Sequence, residues 1–275
     1  MSDQVLAFEV EGPAVASVLV DVGLPHLDRP FDYSIPTELA EQVVPGCRVQ
    51  VRFAGKRVEG LISNFPSRGT HDGRLAPIDK VVSAEPVLTP RIEHLARSVA
   101  ERYAGTVSDI LRFAIPPRQA RVEAHPRLPH DVAATLRQFE PFVWPQHAHG
   151  AGYLAALRSG SAPRAVFDLI PGIELAELLA EAIAATRDSG RGVVVCVPDA
   201  SIISELDRRF TEILGPDQHV VLSSAQKPAE RYRSFLKLSR GEVRVVVGTR
   251  AAAWAPVADL GLVVIVDDGN DLHLE

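Results

Sequence analysis

The second half of the chain alternates unbroken runs of β-branched residues with stretches of helical spacing, and few folds accept that pattern. Residues 173–187 read as a helix that leads into the run Val193-Val-Val-Cys-Val197. A second helix over 201–214 turns Ile203, Leu206, Phe210 and Ile213/Leu214 inward, and apolar runs follow at 219–222, 243–247 and 262–266. A strand with one wet face alternates apolar and polar residues, whereas a strand that does not alternate is covered on both faces. The pattern therefore predicts a parallel sheet packed between helices. Asp267-Asp268 follows the last run at once, that run looks central, and the sequence stops at Glu275, so this α/β region is expected to be incomplete.

The first 115 residues read differently. Val18, Val20 and Val22 alternate with Ser17, Leu19 and Asp21 until Gly23 and Pro25 break the strand. Val49, Val51 and Phe53 alternate with Arg48, Gln50 and Arg52, and Val58 and Ile62 continue after the Ala54-Gly55-Lys56 turn. That is a hairpin with its basic residues on the wet face. Ile92, Leu95, Val99 and Tyr103 then fall at helical spacing over 90–104, closed by Gly105. With 275 residues the chain has room for two domains. A β-rich α+β domain is expected over 1–115, a linker over 116–163 and an α/β domain over 164–275. Pro116-Pro117, Pro126, Pro129, the His147/His149 pair and Ser159-Gly160-Ser161 mark the linker, with one or two short helices in it.

Composition narrows the function. A net charge of −6 disfavours a long nucleic-acid groove, which draws its affinity from Lys and Arg contacts to phosphate. A small pocket for one DNA end remains compatible with it. Arg48, Arg52, Lys56 and Arg57 form the densest basic cluster and read as a solvated strand edge and turn. His147 and His149 have no cysteine nearby to complete a zinc site, so no metal is expected in this chain. Cys47 and Cys196 read as core filling. No apolar run approaches the roughly 20 residues of a membrane span, and no signal peptide opens the sequence. A soluble cytoplasmic protein is expected.

Residues 169–177, Leu-Ile-Pro-Gly-Ile-Glu-Leu-Ala-Glu, sit before a helix, where an α/β protein can carry a phosphate-binding loop. Such a loop needs glycines for close backbone approach, a Lys for the β/γ-phosphates and a hydroxyl for Mg²⁺. Glu174, Leu175 and Ala176 occupy its final Gly-Lys-Thr slots. Leu175 cannot neutralise phosphate and Glu174 repels it. The framework of a nucleotide-binding loop is present without its chemistry.

Several segments carry a resemblance. Arg29-Pro-Phe31-Asp32-Tyr33 is followed by Pro45-Gly46-Cys-Arg48-Val-Gln-Val51-Arg-Phe53, then by Ile78-Asp79-Lys80-Val81-Val82 and Glu85-Pro86-Val87-Leu88. Downstream come Val195-Cys-Val-Pro198-Asp199 and Val247-Gly248-Thr249-Arg250-Ala251-Ala252. Their order and spacing, from about residue 16 to 271, resemble the primosomal replication-restart helicase family, PriA. The first group is similar to its 3′-DNA-end-binding domain. The later two are similar to its helicase motif Ia and its Gly-Thr-Arg-Ser-Ala motif, and the resemblance implies that residues 164–275 form a partial RecA-like helicase lobe 1.

The resemblance implies that Asp32 contacts the edge of a terminal base, flanked by Phe31 and Tyr33, that Gly46 admits the strand, and that Lys80 sits beside its phosphate. Plainer readings stand beside these. Phe31 and Tyr33 suit a core, Asp32 suits a turn or helix cap, Gly46 completes a Pro-Gly turn, and Lys80 suits any surface. The departures fall on the ATPase. Leu169, Gly172, Glu174, Leu175 and Ala176 stand in the loop, and Asp267-Asp268-Gly269-Asn270 stands where the family has Asp-Glu-Glu-His, with the register open by one residue. Phosphoryl transfer rests on positioning and charge stabilisation by those groups. The family's second lobe and zinc-bearing cysteine insert would lie beyond residue 275, and its winged-helix segment is shortened or lost at 117–160.

The expected role is recognition of arrested forks at the nascent 3′ end in replication restart, without a motor and without a cofactor in this chain. The expected partner is forked DNA with a free 3′-OH, joined by primosome and single-strand-binding proteins at the nucleoid. The alternatives are an active superfamily 2 helicase and a protein–protein scaffold that binds neither ligand.

Overall fold

A computed structural model of the chain describes residues 15–23, 25–66, 74–126 and 140–273. Pro129 and the middle of the expected linker lie outside the described residues. The chain divides into two compact units, Met1–Leu111 and Arg112–Glu275.

In the first unit β1 (Val15–Val20), β2 (Phe31–Ser34), β3 (Arg48–Phe53), β4 (Lys56–Asn64) and β5 (Ile78–Ser83) form an antiparallel sheet of order β2-β1-β4-β3-β5. Ser34 also bridges Pro77, which draws the two edge strands toward each other. The expected hairpin is β3–β4, in which Val51 faces Val58 and Arg52 faces Arg57. Its two-residue turn holds Ala54 at φ 46° and Gly55 at φ 78°, the pair of positive φ values that the right-handed twist of a tight hairpin requires. Ala16, Val18, Tyr33, Val49, Val51, Ile62 and Ile78 make the core on one face. Cys47 belongs to the same core as a free thiol.

Helices α1 (Pro90–Tyr103) and α2 (Val107–Ala114) follow, the division between units falling inside α2. Thr89 caps α1 by accepting from Ile92 N at 3.2 Å. The buried face of α1 is Ile92, Ala96 and Ala100, whereas Leu95 and Tyr103 of the expected stripe are exposed. Ala104, not Gly105, takes the left-handed position that ends α1, at φ 52°. Asp28 reaches over to α2, accepting from Val107 N at 2.7 Å, which places a carboxylate at the positive end of that helix.

The second unit opens with α3 (Ala120–Glu123) and α4 (Gly150–Arg158). The segment expected to be a linker is packed inside this unit: Trp144, Leu154 and Leu157 belong to its core. The cause is Glu181, buried on α5 (Leu175–Asp188). Its carboxylate accepts from Phe142 N, Val143 N and Trp144 N at 2.6, 2.7 and 3.0 Å. Trp144 Nε1 donates to Leu178 O at 2.9 Å and completes the clamp. A buried carboxylate that accepts several backbone N–H groups is fully satisfied, and each N–H would be costly to strand. His147 lies edge-on to Phe167, ring centroids 4.7 Å apart.

Beyond α5 the α/β alternation is as read. Strand β6 (Gly192–Cys196), α6 (Ala200–Leu214), β7 (Val220–Leu222), α7 (Pro228–Ser239), β8 (Val245–Gly248) and β9 (Leu260–Ile265) give a parallel sheet of order β7-β8-β6-β9. Asp199 caps α6 through Ser201 N at 2.5 Å, and Ile203, Leu206, Phe210 and Leu214 form its inner face. Burial pushes the Cys196 thiol up to about 11 and keeps it in its unreactive form. Among the described residues β9, which covers most of the run expected to be central at 262–266, stands at the end of that order and pairs with β6, and Val263 and Ile265 are 53% and 57% exposed.

Candidate nucleic-acid end pocket

Strand β2 carries Phe31, Asp32 and Tyr33 on alternating faces. Tyr33 points into the core, 4% exposed, and donates its hydroxyl to Arg52 O at 3.2 Å. Burial raises the pKa of its phenol. Phe31 packs at the rim of the same core, edge-on to Phe53 at 4.8 Å, with the Arg29 guanidinium 4.7 Å above its ring. Asp32 lies on the opposite face and accepts the Ser17 hydroxyl at 2.7 Å from the paired strand β1. Asp32 is therefore a mid-strand residue, and the turn or cap reading does not describe it.

These side chains line a cavity of about 190 Å³ with Arg29, Pro30, Arg52, Arg74, Leu75 and Ala76. It is smaller than a drug-sized pocket, which is on the order of 300 Å³ or more. A fixed carboxylate can accept from a base N–H or a sugar hydroxyl, and the guanidinium groups around it match phosphate. Gly46 and Lys80 are not among the lining residues. Gly46 sits at φ 82° ahead of β3, where a Cβ would stand 2.3 Å from Leu88 O, so its lack of a side chain serves chain packing. Its N–H donates to Ile62 O and its carbonyl accepts from Val87 N, which fixes the entry to β3. Lys80 is exposed on β5, opposite Gln50 of β3.

Sequence reasoning missed Arg29 and Arg74 as pocket residues and read Arg52 as a solvated edge only. Arg29 was within reach, since it stands two residues before Phe31. Arg74 is brought in by the Ser34–Pro77 bridge, which no periodicity reveals.

The expected nucleotide loop is built differently. Residues 161–170 form no regular element, and Val166 in the slot before the loop is 96% exposed. Gly172 takes φ 95° in a turn with open space about it. Glu174 stands at the N-cap of α5 without capping it, and pairs instead with Arg209 of α6 at 2.7 Å. Leu175 packs against the core and Ala176 is buried. Asp267 and Asp268 follow β9, both exposed. Asp267, at φ 52°, accepts from Asn270 Nδ2 at 2.7 Å and closes a local turn. The side chains at this helix start do not fit a nucleoside triphosphate with Mg²⁺: the Lys slot is an apolar core contact and the hydroxyl slot is a buried methyl.

A second cavity, about 360 Å³, opens where β6, β7 and β8 end, the edge at which open α/β sheets take ligands. It brings the two motif-like segments together through Pro198, Asp199, Thr249 and Arg250, and adds Arg112 and Arg231. Arg250 lies 5.2 Å over the Phe113 ring, and the buried Nε of Arg231 makes no hydrogen bond. The sequence held no signal for Arg112 or Arg231, which come from α2 and from α7.

The family described as the 3′DNA-binding domain (3′BD) of PriA matches over residues 17–116, which contain the whole end pocket. The chain is also 42% identical over 254 residues to the probable replication restart protein PriA of Mycobacterium tuberculosis H37Rv, covering 91% of this chain and 38% of that protein. The chain is PriA-like. It is 39% identical over 263 residues to the Mycobacterium leprae protein of the same name, covering 92% of this chain and 39% of that one. Against the Bacillus subtilis replication restart protein PriA it is 31% identical over 99 residues, 36% of this chain and 12% of the relative. The chain thus spans under two fifths of the length of the mycobacterial relatives it matches. Among the described residues no helix is long and apolar enough to cross a membrane, and no cluster of His, Cys, Asp and Glu could hold a metal ion.

Proposed function

We propose that the chain binds the 3′ end of a nascent DNA strand at an arrested replication fork and helps restart and primosome assembly without helicase activity. The observation that carries this reading is Asp32, held by Ser17 in a small pocket rimmed with Arg29, Arg52 and Arg74, inside the stretch that matches the 3′DNA-binding domain. Asp32 accepts from the terminal base or hydroxyl, Phe31 and Tyr33 form the apolar wall, and the arginines meet the last phosphate. Gly46 shapes the strand entry from behind, and Lys80 meets the DNA outside the pocket. Residues 164–275 then act as a RecA-like lobe that has given up phosphoryl transfer, and its arginine-lined cavity is suited to a DNA phosphate. No nucleotide, metal or zinc is assigned to this chain. Primosome and single-strand-binding proteins are the partners that a restart role calls for, in the cytoplasm at the nucleoid.

An active helicase would need a cation where Leu175 packs into the core, and a pure scaffold would leave the charged pocket without a use. The test is Asp32→Ala on a fork with an exposed 3′-OH. Loss of a charged hydrogen bond costs about 1.5–3 kcal/mol, so affinity should fall at least tenfold while blunt-duplex binding stays the same. Equal losses on both substrates would remove the pocket from the account.

A further inference from the structure

Strand β1 carries a single polar residue, Ser17, among Val15, Ala16, Val18, Leu19 and Val20. Ser17 is 7% exposed, and a buried hydroxyl is costly unless its hydrogen bond is made. It stands directly opposite Asp32 of β2, so the two side chains share a face, and it donates to Asp32 Oδ1 at 2.7 Å. On the other side of β1 the pairing slips. Ser17 faces Asn64 and Val18 faces Ile62 of β4, which leaves Ser63 as an extra residue between them. Irregularities of this kind re-aim side chains beside a site. The Ser63 hydroxyl lies 2.8 Å from both carboxylate oxygens of Glu93 on α1, and Glu93 is paired with Arg97. The two serines therefore serve different carboxylates, and the Ser17 hydroxyl goes to Asp32.

Asp32 has use for such a partner. The terminal torsion of an aspartate is soft, and Arg29, Arg52 and Arg74 line the same pocket. A guanidinium readily takes a carboxylate through both oxygens, and a carboxylate turned onto the arginines would offer little to a DNA end. We propose that Ser17 is a positioning residue of the end pocket, an inference that rests on the end-binding reading above. By holding Oδ1 it fixes the plane of the Asp32 carboxylate and opposes its capture by a guanidinium through both oxygens. An acceptor then stays directed at the terminal base or hydroxyl, and the arginines stay available to phosphate. Ser17 acts through Asp32 and is not itself among the lining residues.

The experiment reads the preference for partial-duplex forks with a free 3′-OH over the same forks with a 3′-phosphate, by anisotropy. Valine and threonine have nearly the same shape and differ by the hydroxyl, so Ser17→Val and Ser17→Thr change the packing of β1 alike. Ser17→Thr should keep the parent's preference. Ser17→Val should lower it about fivefold, less than the tenfold or more expected for Asp32→Ala. Ser17→Ala, which adds no volume, should match Ser17→Val. It should change nothing further where Asp32→Ala is already present, because both act through one carboxylate. The role of Ser17 is overturned if Ser17→Ala keeps the parent's preference, if Ser17→Thr loses it as Ser17→Val does, or if Ser17→Ala weakens the Asp32→Ala variant as much as it weakens the parent. In each of those cases a preference lost in Asp32→Ala keeps the end pocket standing. An Asp32→Ala variant with the parent's preference overturns both.

Discussion

The start of β2 and the start of α5 are both places where the sequence resembles a ligand-binding motif, and the structure uses them in opposite ways. At β2 a carboxylate, an aromatic rim and several guanidinium groups converge on one small cavity. At α5 the side chains in the ligand slots are committed to their own fold: Glu174 to Arg209, Leu175 to the core, Ala176 to burial. A backbone pattern can outlast the chemistry it once served.

Three substitutions can break or sharpen this comparison. The largest effect is expected for Glu181→Ala, which strands the N–H groups of residues 142–144. Two of these donors, on Val143 and Trp144, are buried; at about 1–3 kcal/mol for each left unpaired, the second unit should lose about 2 kcal/mol or more, read as a lower urea midpoint. The end pocket, built from residues 29–76, should keep its affinity under native conditions. Next comes Gly46→Ala. A Cβ there meets Leu88 O at 2.3 Å and the φ of 82° is strained for alanine, so a melting loss of about 1–3 kcal/mol is expected. Unchanged melting with weakened DNA binding would instead make Gly46 a DNA contact. The smallest effect is expected for Leu175→Lys, which should give no ATP turnover in a phosphate-release assay. Glu174 remains beside it, and Ala176 still supplies no hydroxyl. Measurable turnover would show that α5 begins a live site after all.

The sequence made the local elements legible where the period was clean. The β3–β4 hairpin, β6, α6 and their inward residues follow from alternation and helical spacing. It was weaker where long-range contacts decide. Residues 142–158 look like a linker because prolines, histidines and glycines crowd there, yet Glu181 clamps their start from nearly forty positions away. Helix α1 buries Ala96 and Ala100 rather than Leu95 and Tyr103, since small residues allow the closer approach and hydrophobicity alone does not report distance. Of the candidate site, Phe31, Asp32 and Tyr33 were legible as a group through resemblance. Their division of labour was not, because the alternation of β2 buries Tyr33 while Asp32 meets Ser17 on the other face. Arg74 was illegible, being placed by a single bridge between strands that lie far apart in sequence.

The central claim is that β2 builds a pocket for a strand end. It is tested most directly by fluorescence anisotropy with partial-duplex forks that differ only in a free 3′-OH or a 3′-phosphate. The account predicts tighter binding of the free hydroxyl, because Asp32 repels a terminal phosphate. Equal binding of the two forks, or binding of neither, would contradict it.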